Sequence, residues 1–333
     1  MENAVAPHYR NVLRAACVAI CALCCPLAGL AADYPTRPIS VLIPFATGGA
    51  TQALSERVGR EIGRDLGQPL VSDHRGGAGG TIAAEAAARA APAGYTLFMG
   101  ATGALAVAPA VMKAVRFNPQ TDFQAIALIA TTPYVLVVNA KLPARNMREL
   151  IDYARQNPGK LNFASSGTGG ADHIAGEVLQ KMAGFKMTHI PYKGAGPYLP
   201  DLVSGRIDVA IISPIPIKPF VDAGQVRMLA VTTAQRSPAP WLKDVPTIAE
   251  QGTTGYNLLA WYGYLAPART PADVIARFHG AAAKALADKE IEAWLLAQGL
   301  APGTLSPAEF GQFVNAEVRK WADYVRSTGI SAE

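Results

Sequence analysis

Short apolar segments of strand length alternate with longer amphipathic segments along most of the chain. After residue 173, for example, Ile174, Val178 and Leu179 repeat at the spacing of one helix face. Such alternation predicts an α/β fold, in which helices cover both faces of a mostly parallel sheet. The predicted strands are 40–45, 70–73, 95–99, 125–130, 134–139, 160–165, 187–191, 207–212 and 226–232, and the predicted helices are 52–66, 81–90, 104–112, 147–156, 197–204, 271–287, 290–298 and 307–327, with one more after residue 173.

Two of these strands end in loops of small residues that lead directly into a helix. The first loop is Ala46-Thr47-Gly48-Gly49-Ala50-Thr51, and the second is Ser166-Gly167-Thr168-Gly169-Gly170-Ala171. A strand–loop–helix joint of this kind directs several free backbone N–H groups at one point, where the helix dipole also favours an anion. Two such loops on two separate α/β halves predict a cleft that closes on a small acid.

The length of the chain indicates two domains. About 300 residues follow the N-terminal segment described below, which is more than one ordinary hydrophobic core accommodates. The pattern of strands suggests that the chain crosses between the domains near residues 131–134 and again near residues 255–266. We therefore predict one lobe from residues 33–131 and 256–333, and a second lobe from residues 132–255.

Residues 1–32 have the features of a secretory signal peptide. Arg10 and Arg14 precede an apolar run of residues 15–31, and we expect cleavage after Ala31 or Ala32. A transmembrane anchor is the alternative, but about 17 apolar residues are at the short limit for a membrane span. All four cysteines fall within this segment, so we expect the exported protein to contain no disulfide, no catalytic thiol and no cysteine metal ligand.

The charged residues are scattered rather than grouped. The formal net charge of +5 falls to +4 without the signal segment, because two arginines and one glutamate are removed with it. No run of lysine or arginine alternates with aromatic residues, which argues against nucleic-acid binding. His74, His173, His189 and His279 are not paired at the spacing of metal ligands. We therefore expect no metal ion and no cofactor.

Several short motifs, in a fixed order over nearly all of the chain after residue 33, make a family resemblance specific. The motifs lie at residues 34–39, 44–49, 77–80, 92–97, 165–167 with 173, 191–194, 205–208, 229–233, 244–247 and 261–263. In these motifs the chain resembles the periplasmic solute-binding proteins of the tripartite tricarboxylate transporter family, also called Bug-type receptors.

This resemblance implies a fold and a function. The fold would be the two-domain periplasmic-binding-protein fold of type II, in which each lobe is a mixed, mostly parallel sheet flanked by helices and the ligand lies between the lobes. The function would be to capture a small organic carboxylate in the periplasm and deliver it to a cognate membrane permease. We expect a monomer without enzymatic activity. Carboxylates in this family are held largely by backbone amides, hydroxyls and water, and hydrogen bonds to charged oxygens are strong enough to replace an arginine.

The resemblance also implies which residues contact the ligand. Glycines 48 and 49 have a simpler reading as residues of a tight turn, His173 as a packing residue, and Gly76–Gly80 as a structural loop. Carried over by position, the predicted contacts are Phe45, Gly48, Gly49, Ala50, Thr51, Gln52, Ala101 and Thr102 from the first lobe, and Ser165, Ser166, Gly167, Gly169, Gly170, His173, Lys193 and Ile212 from the second.

Two predicted contacts depart from the family's pattern. Many relatives have Asp at the position of Gln52, and the family often has Asp near the position of Ile212. An amino-acid ligand would bury an ammonium group, which is costly unless a carboxylate or several other acceptors receive it. The sequence therefore predicts a carboxylic acid without an amino group, rather than aspartate or glutamate.

Two other functions use the same sequence features. A receptor that signals to a membrane sensor would present the same ligand-loaded surface, and the sequence does not separate it from a transport receptor. A serine hydrolase would need Ser165 or Ser166 as the nucleophile and His173 as the base. The chain has no Gly-x-Ser-x-Gly nucleophile elbow, and no acid is evident that would orient the histidine.

Overall fold

The computed structural model describes residues 34–332, so the predicted signal peptide lies outside the described residues. The chain forms two sheets flanked by helices, which confirms the predicted α/β class. The strands are β1 Ile39–Ile43, β2 Leu70–His74, β3 Thr96–Ala101, β4 Phe123–Pro133, β5 Val135–Asn139, β6 Asn162–Ser165, β7 Thr188–Pro191, β8 Val209–Ile212, β9 Val226–Val231, β10 Leu259–Pro267 and β11 Ala301–Pro302.

The helices connect these strands and cover the sheets. A 3-10 turn spans Ala78–Gly80, and a π-helical segment spans Gly103–Val107. The α-helices are α1 Ala50–Leu66, α2 Thr81–Ala88, α3 Ala108–Val111, α4 Met147–Gln156, α5 Ala171–Ala183, α6 Ala195–Ser204, α7 Pro214–Asp222, α8 Ala272–Leu286, α9 Lys289–Ala297 and α10 Pro307–Thr328. Within residues 34–332, no helix is both long and apolar enough to cross a membrane.

Each sheet has a parallel part and an antiparallel part. The first sheet has the strand order β11-β4-β10-β3-β1-β2, and the second has the order β7-β6-β8-β5-β9. Strand β1 is parallel to β2 and β3, and β6 is parallel to β7 and β8. In the first sheet, the long strands β4 and β10 are antiparallel to each other. In the second sheet, β5 and β9 are antiparallel to each other.

The parallel strands place four helix starts at the same edges of the two sheets. Helices α1, α5, α6 and α7 follow β1, β6, β7 and β8 respectively, each after a short loop. Ligands in α/β proteins bind outside the carboxyl ends of parallel strands, where such loops converge. The gap between the two sheets is therefore the place to look for a site.

The chain crosses between the two sheets at two points, and these two crossings are in contact with each other. Tyr134 alone separates β4 of the first sheet from β5 of the second, and the chain returns between Thr232 and Leu258. The Tyr134 N–H donates to Thr232 Oγ1 over 2.9 Å, and that hydroxyl donates to the Leu258 carbonyl over 2.8 Å. One buried threonine thus ties both crossings together. The lobe boundaries 131/132 and 255/256 stay a prediction.

The sequence pattern missed one helix that matters for the site. Helix α7 contains Pro214, Pro216 and Pro219, and so many prolines argue against a helix in a sequence. The first two lie in the opening turn, where a backbone N–H has no partner within the helix and its loss costs nothing. Pro219 lies inside the helix and lacks a backbone N–H there, so the first-turn argument explains two of the three prolines.

Removal of the Thr232 hydroxyl should destabilise the protein. Thr232→Val preserves the shape of the side chain but leaves the buried Tyr134 N–H without its acceptor. We expect the free energy of unfolding to fall by about 1–3 kcal/mol, measured by urea denaturation. Thr232→Ser keeps the hydroxyl and is the control. An equal loss in both variants would show that the methyl group, and not the hydrogen bonds, stabilises this junction.

Candidate ligand-binding site

A cavity lies between the two sheets and takes its lining from both. Its volume is about 40 Å³, which is room for only a few water molecules, so the two lobes are closed on each other. The lining residues are Phe45, Gly49, Ala50, Thr51, Ala101, Gly103, Tyr134, Ser166, Ala171, Asp172, Ala195, Tyr198, Ile212, Ser213, Pro216 and Tyr262.

Four helices begin at this cavity, and no side chain caps any of them. Residues of the first turns of α1, α5, α6 and α7 line it, and the residues before these helices are Gly49, Gly170, Gly194 and Ser213. By contrast, the side chains of Asn146, Asp288 and Ser306 cap α4, α9 and α10, which begin elsewhere. The positive ends of four helix dipoles therefore face one small space. Not every first-turn N–H is available there, because Pro197, Pro214 and Pro216 have none and the His173 N–H donates to Asp172.

Three buried hydroxyls in the lining have no hydrogen-bond partner among the residues that the structure describes. They are Thr51 Oγ1 at the start of α1, the Tyr198 hydroxyl on α6, and Ser213 Oγ just before α7. Unpaired buried polar groups are rare in folded proteins and need an explanation. Because they come from both lobes and all lie at the cavity, they are suited to bind a polar group held between the lobes.

Among the residues that the structure describes, Asp172 is the one carboxylic acid in the lining. Its side chain is 5% exposed, its Oδ2 accepts the Ser166 N–H over 2.6 Å, and its Oδ1 accepts the His173 N–H over 3.0 Å. Burial raises the pKa of this carboxyl to about 6, because loss of solvent outweighs these hydrogen bonds. Sequence reasoning passed over Asp172, since an acid in the first turn of a helix is common and carries no functional signal by itself.

Three tyrosines complete the lining around Asp172. They are Tyr134 at the first crossing, Tyr198 on α6 and Tyr262 on β10. Burial raises the pKa of each, so all three hydroxyls stay protonated and able to donate at neutral pH. None of the three was predicted as a contact, because tyrosine in an apolar stretch indicates core packing and its position at a cleft appears only in three dimensions.

A protein-family model matches most of the chain. The model described as "Tripartite tricarboxylate transporter family receptor" matches residues 55–330. The chain belongs to this family. The resemblance inferred from the sequence motifs is therefore confirmed, and receptors of this family are periplasmic solute-binding proteins.

Individual relatives agree with the family match. BugT of Bordetella pertussis (strain Tohama I) is 32% identical over 308 residues, which cover 91% of this chain and 94% of BugT. Among solved structures, R. palustris Rpa4515 with adipate is 35% identical at a TM-score of 0.85, covering 90% of this chain and 99% of that one. MatC from Rhodopseudomonas palustris with bound malate is 30% identical at a TM-score of 0.83, covering 88% and 100%.

A family of solute-binding proteins rules out the hydrolase alternative, and the geometry gives the physical reason. Ser165 Oγ is hydrogen-bonded to His189 Nε2 over 2.6 Å and accepts the Gly167 N–H, beneath the loop rather than in the cavity. Nδ1 of His173 accepts the Gly169 N–H over 3.1 Å. These side chains hold the receptor loop in shape. Burial lowers the pKa of His173 and His189 to about 4, so both stay neutral at neutral pH and Nδ1 can accept.

The structure divides the sixteen predicted contacts into two groups. Seven line the cavity: Phe45, Gly49, Ala50, Thr51, Ala101, Ser166 and Ile212. Nine lie outside the lining: Gly48, Gln52, Thr102, Ser165, Gly167, Gly169, Gly170, His173 and Lys193. Whether members of either group contact a ligand stays a prediction.

Local hydrogen bonds explain why several predicted contacts lie outside the cavity lining. Gln52 Oε1 accepts the Gly48 N–H over 2.6 Å, and its Nε2 donates to Glu56, so the side chain supports its own loop. Thr102 Oγ1 accepts the Trp261 N–H over 2.8 Å. The Lys193 side chain is exposed, and only its carbonyl takes part in the closed form, by accepting the Ala46 N–H from the other lobe.

Around the cavity, the receptor lobes meet through glycines. A Cβ on Gly79, which has a φ of +63°, would lie 2.8 Å from the nitrogen of Gly170 in the opposite lobe. A Cβ on Gly196 would overlap the carbonyl oxygen of Thr47. Real Cβ atoms do not approach backbone so closely, so closure depends on these glycines. The loop Gly76–Gly80, predicted to be structural, forms part of this contact.

Gly196→Ala should therefore prevent full closure without harming either lobe. Gly196 lies in the first turn of α6 and does not have a positive φ, so alanine suits the isolated lobe. We expect the free energy of unfolding to be unchanged or slightly higher. Binding of any organic acid that stabilises the wild type should weaken at least about tenfold, as measured by calorimetry.

The matched control is Gly280→Ala in α8. Gly280 is also helical, and a Cβ there has no atom within 4 Å. This variant should stabilise the helix by about 0.5–1 kcal/mol and leave ligand binding unchanged. Small-angle scattering with saturating acid should show contraction in the control only. Normal contraction and affinity in Gly196→Ala would mean that the glycine contact does not form in solution.

Proposed function

We propose that this receptor binds a small organic carboxylate in the cleft between its lobes, in the periplasm, and delivers it to a cognate tripartite tricarboxylate-type permease. One observation carries the proposal: four helices begin, without side-chain caps, at a single cavity between the lobes. Within residues 34–332, the side chains lining this cavity include no arginine or lysine.

Helix starts can replace a basic side chain as the partner of an anion. Each helix dipole is equivalent to roughly half a positive charge at the N-terminus. The first N–H groups have no partner within the helix, apart from the one of His173 that Asp172 accepts and those that the first-turn prolines of α6 and α7 lack. A carboxylate has two oxygens that accept several hydrogen bonds, and each bond to a charged group contributes about 1.5–3 kcal/mol. Adipate in Rpa4515 and malate in MatC, the compounds named with two related structures, are carboxylates and support this ligand class.

Delivery requires the cleft to open. A cavity of about 40 Å³ is too small for a dicarboxylate, and the backbones at Gly79 and Gly170 are in close contact across the lobes. We propose that the lobes rotate about the two crossings at Tyr134 and Thr232–Leu258. The permease would recognise the closed, loaded form, because only in that form do the surfaces of both lobes adopt one fixed arrangement.

A thermal-shift screen of the mature protein tests the proposed ligand class. The panel contains mono-, di- and tricarboxylates, including adipate and malate, with matched amines and neutral amides. A ligand at about 100 times its Kd should stabilise the protein by about 2.7 kcal/mol, which gives a clear shift. Stabilisation by amides or amines but by no carboxylate would contradict the proposal.

Thr51→Val should separate binding from stability. The Thr51 hydroxyl is buried and unpaired, so its removal should leave the free energy of unfolding unchanged or slightly higher. If that hydroxyl donates to a ligand carboxylate, the Kd should rise by roughly ten- to a hundredfold, measured by calorimetry with the best acid of the screen.

Thr247→Val is the opposite control. The Thr247 hydroxyl is buried away from the cavity and accepts the Glu250 N–H over 2.9 Å. Its loss should lower the free energy of unfolding by about 1–3 kcal/mol and leave the Kd unchanged. If Thr51→Val instead lost stability and kept its affinity, Thr51 would be a structural residue.

A further inference from the structure

The cavity combines one acid with the positive ends of several helices and lacks a basic partner for that acid. Both oxygens of Asp172 accept backbone N–H groups, and its side chain is almost fully buried. Among the described residues that line the cavity, no arginine, lysine or histidine is present. A ligand carboxylate bound here would therefore share a small, poorly solvated space with the carboxyl of Asp172.

The groups that face Asp172 do not neutralise it. Tyr134, Tyr198 and Tyr262 approach from the first crossing, α6 and β10, and burial keeps all three protonated. Helices α1 and α7 contribute the uncharged Thr51 and Ser213. On its own helix, the neighbouring His173 is neutral at neutral pH and accepts from Gly169, outside the cavity.

We propose that Asp172 takes up one proton when a carboxylate binds, so that the receptor captures its acid together with a proton. The proton comes from solvent, and the new O–H of Asp172 then donates to a ligand carboxylate oxygen. Two carboxyl groups confined in one site cannot both stay ionised at low cost, and such a pair holds one proton between them. This inference rests on the proposed function.

The burial of Asp172 in the closed structure favours this step. It already raises the pKa of the carboxyl to about 6, and one more negative charge nearby raises that pKa further. The ligand class then depends on the protonation state of Asp172. If this carboxyl stays ionised it can receive an ammonium group, whereas if it is protonated it donates a hydrogen bond to an acid without an amino group. The expectation of a ligand without an amino group therefore rests on the uptake of this proton.

Calorimetry of the wild type with adipate and with succinate counts the proton directly. Titrations at about pH 7 in buffers of different ionisation enthalpy should show uptake approaching one proton per acid bound. The Kd should also rise by up to about tenfold per pH unit from about pH 6.5 to 8, because the proton becomes scarcer above the pKa of free Asp172.

Two variants assign the proton to Asp172. Asp172→Asn cannot take up a proton, so adipate should bind with no proton uptake and with a Kd that is flat over the same pH range. Asp208→Asn is the matched control, because Asp208 is a partly buried acid that accepts the Asn162 N–H away from the cavity. Its proton uptake should equal that of the wild type.

The possible outcomes separate this inference from the proposed function. Binding of adipate or succinate to the wild type without proton uptake overturns the inference alone, and that count stands even if Asp172→Asn does not fold. Proton uptake that persists in a folded Asp172→Asn also overturns it. Tighter binding of 2-aminoadipate or aspartate, without uptake, would show that Asp172 stays ionised and receives an ammonium. Failure of every carboxylate in the panel to bind overturns the proposed function and this inference with it.

Discussion

Burial of an anion without a basic side chain is the constraint on which the rest of the structure depends. A charge held between two lobes loses its water, and here only backbone dipoles and hydroxyls are placed to compensate for that loss. Four helices must then begin at the same point, which requires parallel strands whose carboxyl ends face each other across a cleft. Glycine precedes three of these helices, and at Gly194 a Cβ would lie 2.9 Å from the Ala46 nitrogen of the opposite lobe.

The sequence predicts the parts of the site that depend on local chain geometry. A buried strand, a loop of small residues and a helix with apolar spacing are all visible in the order of residues, so the joints at Gly49 and Gly170 could be located in advance. The family resemblance, carried over by position, placed Gln52, Ser165 and His173 at the ligand. In the structure these side chains bond to nearby N–H groups and hold the loops. Residue type alone does not distinguish a side chain that supports a loop from one that faces the ligand cavity.

The parts that could not be predicted depend on packing between distant segments. Tyr134, Tyr198 and Tyr262 come from three elements and meet only because the crossing strands and α6 pack around one cavity. The sequence pattern did not predict helix α7, because so many prolines argue against a helix. Its first turn nevertheless contributes Pro216 to the lining. Asp172 was visible in the motif, but only its burial among tyrosines, with no basic side chain among the described residues that line the cavity, distinguishes it from an ordinary first-turn acid.

The form of the contact between the lobes bears on how binding is coupled to motion. Around the cavity, glycine backbones of the two lobes pack closely and the Ala46 N–H donates to the Lys193 carbonyl, so these contacts exist only in the closed form. A ligand that touches the first turns of helices from both lobes adds its hydrogen bonds only when the cleft is shut. The ligand can shift the balance between open and closed forms by no more than its difference in affinity for the two. Helix starts shared between the lobes enlarge that difference, and this lets one receptor close when loaded and release its cargo when a partner separates the lobes.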